Sequence, residues 1–181
     1  MKPVSEMSIG ELAAFVASHL KASGIDVVLT GGSCVTIYSS NRYMSFDLDF
    51  IGGRGAGGKQ IKAALLELGF REKNRYFVHA ESKYYIEFPP GPLAVGDEPV
   101  REVVELEFAT GLLRILSPTD CVKDRLAGYY HWKDLQCLEQ ACLVVADNDV
   151  DLVEIERWSK HEGMLDEFTS IKSKLTKGKM F

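Results

Sequence analysis

The sequence lacks any excess of positive charge. Its 21 lysines and arginines face 26 aspartates and glutamates, for a net charge of −5 at pH 7. Broad, sequence-independent nucleic-acid binding needs a cationic face and is therefore not expected. Cysteine is sparse as well: Cys34, Cys121, Cys137 and Cys142 form no C-x-x-C pair and no finger-like spacing with histidine. That excludes a zinc finger and a disulfide framework, and all four read as reduced thiols. No apolar run approaches the roughly 20 residues that span a bilayer. The opening MKPVSEMSIGELAAF also lacks the unbroken apolar stretch of a signal peptide. A cytoplasmic protein without membrane association is expected. His79, His131 and His161 are not spaced as metal pairs, and no internal repeat or low-complexity segment occurs.

What is present suffices for one sizeable core: 181 residues, of which 46% are hydrophobic. The organisation reads as an α/β part over residues 1–116, followed by a helical part over 117–181 packed on it. Ser8 to Ser23 has the capping-box spacing Ser8/Glu11 and an apolar face of Leu12, Phe15, Val16 and Leu20, with Gly24 as its stop. A short strand is expected over Ile25–Thr30, a helix from about Ser33 to Ser39, a strand over Phe46–Ile51 and a third helix ending near Gly69. Short extended pieces follow at Tyr76–His79, Lys83–Phe88, Val103–Phe108 and Leu112–Leu116, around the loop PPGPLAVGDEP. Ser117-Pro118-Thr119-Asp120 is a helix start. Further helices are expected over 134–147, 151–161 and 163–175.

Function is concentrated in LTGGSCVTIYSSNRYMSFDLDF, residues 29–50. Residues two apart on a strand share a face, so Asp47 and Asp49 project together while Phe46, Leu48 and Phe50 turn to the core. Adjacent carboxylates repel and resist desolvation unless a cation lies between them. Oxygen-only ligands suit Mg²⁺ or Mn²⁺. The Gly31-Gly32-Ser33 turn offers the complement: small residues allow close approach of a phosphate, the following helix aims its free N–H groups there, and Ser33 can add a hydroxyl donor. An anion cradle and a cation site in one segment suit a metal–triphosphate complex.

Residues 27–51 resemble the signature of the nucleotidyltransferase superfamily typified by DNA polymerase beta. That signature is an apolar strand, Gly-Gly/Ser, a helix, then apolar-Asp-apolar-Asp/Glu-apolar. Here Gly32-Ser33 and FDLDF match it, with 13 residues between Ser33 and Asp47. The chain resembles in particular the small bacterial and archaeal members associated with toxin–antitoxin and abortive-infection systems, which often carry an arginine and a serine ahead of the acids, as Arg42 and Ser45 stand here. The phrase LRILSPTDCVKDRLAGYYHWKD resembles their later helical element, with Arg125 at its basic position. The resemblance implies a mixed sheet flanked by helices with a C-terminal helical half. It also implies transfer of a nucleoside monophosphate from an NTP to a hydroxyl on an acceptor of unknown identity (protein, RNA or small molecule). Asp47 and Asp49 would hold Mg²⁺ or Mn²⁺, Gly31, Gly32 and Ser33 the phosphates, and Arg42 or Arg125 would steady phosphate charge. The alternative is a nucleotidyltransferase-like binding protein without turnover, such as one half of a toxin–antitoxin pair.

The resemblance also implies a third carboxylate on a neighbouring strand, as a further metal ligand and proton acceptor. YIEF offers Glu87, and VELEF offers Glu105 or Glu107. Glu87 is preferred, because Glu105 and Glu107 alternate like the solvated face of an edge strand. A competing phosphate loop, GRGAGGKQ at 53–60, has glycines and Lys59, but Gln60 replaces the metal-binding hydroxyl. The acid that could accompany it, Asp147, closes a helix. Its cations Arg54 and Lys59 read as solvated. Tyr129, Tyr130, His131 and Trp132 are expected to pack as an aromatic cluster at a helix end.

Overall fold

In the computed structural model, residues 2–52 and 57–177 are described below. The helix α1 (Ile9–Ala22) begins as its sequence dictates. Ser8 Oγ accepts from Glu11 N at 3.3 Å, and the Glu11 carboxylate accepts from Ser8 N at 2.8 Å. It ends at Gly24, whose φ is +77°. Next come β1 (Val27–Thr30), α2 (Gly31–Tyr38), β2 (Asp47–Gly52) and α3 (Gly58–Glu67). The strands β3 (Arg71–Lys73), β4 (Tyr76–Val78) and β5 (Tyr85–Glu87) follow, then a small hairpin of β6 (Ala94–Val95) and β7 (Glu98–Pro99). The hairpin β8 (Val103–Phe108) and β9 (Gly111–Leu116) completes the sheet. The remaining elements are α4 (Pro118–Trp132), α5 (Leu135–Asp147), α6 (Leu152–His161) and α7 (Leu165–Lys177). Short strands at 71–73 and within the PPGPLAVGDEP loop lie below the length at which alternation can be read.

The seven-stranded sheet runs β3-β4-β5-β2-β1-β9-β8. It is mixed: β1 pairs antiparallel with β2 and parallel with β9, and β2 pairs parallel with β5. Leu29, Leu48, Phe50, Ile86, Leu113 and Ile115 share one face and are fully buried. Packing of α1 on β1, β8 and β9, and of α3 on β3, covers that face. The opposite face carries the acids. Phe46 departs from the expected pattern: it precedes the strand and is 46% exposed, against Tyr84 at 6.3 Å between ring centroids. The expected aromatic cluster also divides. Tyr130 is buried and stacks on Trp158 at 5.9 Å, whereas Trp132 is 78% exposed.

Ser117 caps α4, accepting from Asp120 N at 3.1 Å. One turn into this helix Lys123 is only 4% exposed, with its ammonium 3.1 Å from Asp120 and 2.7 Å from Glu154 of α6. Glu154 also binds Arg157 at 2.6 Å, and Arg157 reaches Glu98 of β7. Removing one member of a buried ion group strands its partners without compensation. Lys123→Ala should therefore lower unfolding free energy by about 3 kcal/mol, read from the urea midpoint. Full stability in that variant would show the network to be solvated. Among the described residues, no helix is long and apolar enough to cross a membrane, and the four cysteines are free.

Candidate active site

Three strands bring the acids together. In register, Thr30 of β1 pairs with Asp49 of β2, and Asp49 pairs with Glu87 of β5. Partners in register share a face, so Thr30, Asp49 and Glu87 form one row, with Asp47 and Tyr85 in the next. Glu105 and Glu107 lie on exposed positions of β8, three strands from β2. At strand spacing that is about 14 Å, too far to share an ion with Asp49. Strand order thus places Glu87, and neither alternative, beside the aspartate pair.

The turn before α2 is built around Asp49. Gly31 has φ +70°, and a Cβ built there would overlap Asp49 Oδ2 and lie 3.1 Å from its Cγ. Glycine is thus required twice, by backbone conformation and by the approach of the carboxylate. The helix begins two residues earlier than its sequence suggests, at Gly31 rather than Ser33. Ser33 consequently lies inside the first turn, fully buried, with Oγ donating to Thr30 O at 3.2 Å. Its hydroxyl does not face the cavity. The Thr30 hydroxyl donates to Asp49 O at 3.1 Å and ties the two strands together at the site.

A cavity of about 300 Å³ opens over this row. Its walls include Thr30, Gly31, Asp49, Glu87, Asp124 and Arg125, and Pro89, Pro92 and Ala94 close one side. The proline-rich loop therefore forms a wall and leaves the cavity open. Arg125 reaches it from α4, held by Asp124 (Nε to Oδ2, 3.1 Å) and by Gln140 of α5 at 3.3 Å. Arg42 does not reach it: its guanidinium pairs with Asp147 at the end of α5 and donates to Leu143 O at 3.2 Å. The sequence could not show this, because Arg42 and Asp147 are separated by most of the chain. A cation that sequence reasoning missed stands nearby. Arg75, next to Asn74 in the left-handed turn between β3 and β4, lies 3.3 Å from Glu87 Oε1 and 4.8 Å over the Tyr76 ring. Asp124 was also missed; its one signal was adjacency to Arg125.

The charge distribution is strained. Burial first, then the Asp47 and Glu87 carboxylates, push Asp49 from the ordinary 3.8 up to about 7. A hard divalent cation fits this donor set, which is all oxygen and short of positive charge. Among the described residues no three acidic, histidine or cysteine side chains already converge as a metal cluster. Asp47 accepts from the Ser45 hydroxyl, and Glu87 pairs with Arg75 at 3.3 Å. Residues 53–56 of the GRGAGGKQ loop, and with them the expectation for Arg54, lie outside the described residues. Lys59 stands exposed in the first turn of α3, bordering a groove with Lys62, Arg75 and Phe77, and Asp147 ends a helix as expected.

No protein-family model matches this sequence, and no curated protein matches it. Solved structures do. An antigenic nucleotidyltransferase-like protein from Paracoccidioides brasiliensis is similar over 96% of this chain and 94% of its own, with 13% identity and a TM-score of 0.64. The antibiotic-resistance factor ANT(2″)-Ia, in solution, is similar over 92% of this chain and 94% of its own, with 13% identity and a TM-score of 0.51. The same factor in complex with adenylyl-2″-tobramycin is similar over 90% of this chain and 97% of its own, with 14% identity and a TM-score of 0.50. With its mixed seven-stranded sheet, its acids on the open face and its C-terminal helices, this chain has the fold of the nucleotidyltransferase-like proteins.

Proposed function

We propose that the chain is a nucleotidyltransferase that moves a nucleoside monophosphate from an NTP to a hydroxyl acceptor. The observation that carries this reading is the row Thr30–Asp49–Glu87, with Asp47 beside it, packed against the glycine turn at the wall of one open cavity. Asp47, Asp49 and Glu87 would hold Mg²⁺ or Mn²⁺. Bound there, the ion would neutralise triphosphate charge and the charge that develops on the leaving pyrophosphate. Backbone N–H groups at the start of α2, around Gly31 and Gly32, receive the triphosphate, since the first N–H groups of a helix lack intrahelical partners. Arg125, fixed by Asp124 and Gln140, steadies phosphate charge from the opposite wall. The acceptor oxygen attacks the α-phosphorus as the bond to the bridging oxygen of the β-phosphate breaks, and pyrophosphate leaves with that electron pair. Glu87 takes the acceptor's proton once Arg75 releases it.

ANT(2″)-Ia, a neighbour in fold, was solved with adenylyl-2″-tobramycin, which is consistent with an acceptor bearing a hydroxyl. A second reading, a nucleotide-binding toxin–antitoxin component without turnover, is favoured by one observation: Arg75 already occupies Glu87. Incubation with α-labelled NTPs and Mg²⁺ or Mn²⁺ separates the two. Transferase activity releases pyrophosphate and labels an acceptor or the chain itself; nucleotide binding without release identifies the binding protein. Undiminished Mg-dependent NTP affinity in an Asp47→Ala, Asp49→Ala double variant would refute both.

A further inference from the structure

Beside the carboxylate-lined cavity lies a larger one of about 480 Å³. The two share Ala94, Asp124 and Arg125 as a common wall. The larger cavity is built from small residues of the β6–β7 hairpin and of α4, among them Gly128, where a Cβ would lie 2.7 Å from Cys137 Sγ. Ala94, Gly96 and Ala127 on these walls leave a slot with room for a ring. Trp132 stands at this slot, 78% exposed, while the chain's other tryptophan, Trp158, is fully buried. Core packing does not account for Trp132. Among the described residues its one ring contact is a T-shaped pair with His131 at 6.0 Å between centroids, which leaves an indole face open to stacking.

We propose that this second cavity seats the nucleobase of the NTP, stacked on Trp132, with Arg125 at the junction between base and triphosphate. The proposal rests on the nucleotidyltransferase reading above. Continuity with the carboxylate cavity puts a ligand spanning both against Arg125. Stacking on an indole is tolerant of base identity, because every base has a π-face. Discrimination comes from Asp134 on the slot wall. Its Oδ1 accepts from Gln136 N at 2.9 Å as the cap of α5 and its Oδ2 from Cys137 Sγ at 3.5 Å, but a carboxylate has about four acceptor positions. The remaining ones suit an exocyclic amine, so adenine, guanine and cytosine are preferred to uracil.

Two tryptophans in opposite environments make the test direct. MgATP, MgUTP, magnesium tripolyphosphate and an amine-bearing sugar are titrated into the full chain, with fluorescence and calorimetry in parallel. MgATP should quench the solvent-exposed emission, and tripolyphosphate should bind without quenching. Trp132→Ala should weaken MgATP about tenfold while leaving tripolyphosphate unchanged, Trp132→Phe should restore most of the affinity, and MgUTP should bind more weakly than MgATP. Calorimetric MgATP binding without quenching, unaltered by Trp132→Ala, would place the base elsewhere and leave the transferase reading intact. Quenching by the amino sugar but not by MgATP would assign the slot to the acceptor. Absence of any Mg-dependent NTP heat would overturn both this proposal and the reading beneath it.

Discussion

Asp49→Asn should stabilise the metal-free protein at pH 8 and, under the proposed function, abolish Mg-dependent nucleotide binding. The sign follows from the elevated value of Asp49, about 7 in the folded chain against an ordinary 3.8. Between those values the folded state holds a proton that the unfolded chain has lost, so stability declines as pH rises through the interval. The penalty is complete above pH 7 and absent below pH 4. A neutral amide removes it, for a gain of roughly 1–3 kcal/mol at pH 8 and little change at pH 4. Mg²⁺ acts in the opposite sense. It should raise the melting temperature of the wild type by binding the folded form alone and leave the variant unmoved. The proposed transferase activity should fall by at least about 10³-fold, since a catalytic metal contributes several kcal/mol. Thermal melts at two pH values, with and without Mg²⁺, read all of this except turnover. A variant no more stable than wild type at pH 8 would mean that the carboxylate cluster is already neutralised.

Gly31→Ala should cost both fold and function. A left-handed φ of +70° penalises any side chain by about 1–2 kcal/mol. At this position the new methyl group also overlaps the Asp49 carboxylate. Asp49 sits in mid-sheet between β1 and β5, so its backbone is held and its carboxylate must swing out over the cavity instead. The total should approach about 3 kcal/mol, with a loss of at least about 10²-fold in turnover as the carboxylate leaves its row. Gly24→Ala is the control. Its φ is +77°, but nothing lies within 4 Å of the added methyl group, so it should cost about 1 kcal/mol and spare turnover. Combining Gly31→Ala with Asp49→Ala should recover part of the lost stability, because two residues in contact do not contribute additively. Equal effects of the two glycine substitutions would show backbone strain alone to be at work.

The legible parts of this protein are those whose cause is local. Ser8 with Glu11, and Ser117 with Pro118, begin helices where their spacing says they should, because a capping bond spans only three residues. The two-residue period of FDLDF puts both aspartates on one face and buries Leu48 and Phe50. Phe46 departs because it stands just ahead of the strand: its carbonyl accepts from Tyr85 N at 3.0 Å, but its ring lies beyond the core, against Tyr84. Ser33 differs in setting from the sequence expectation: the helix starts at Gly31, so Ser33 lies buried in its first turn with its hydroxyl donating to Thr30 O.

Local spacing by itself determined a strand–turn–helix–strand unit with paired carboxylates and a glycine that admits no side chain, since propensity, capping and alternation act between near neighbours. Only the tertiary structure decided which glutamate joins the aspartates, by setting β5 and not β8 beside β2. It also turned Arg42 to Asp147, brought Arg75 to Glu87 and left Trp132 open beside a second cavity. Strand order and side-chain direction arise from contacts between segments far apart in the chain, and no short-range pattern carries that information.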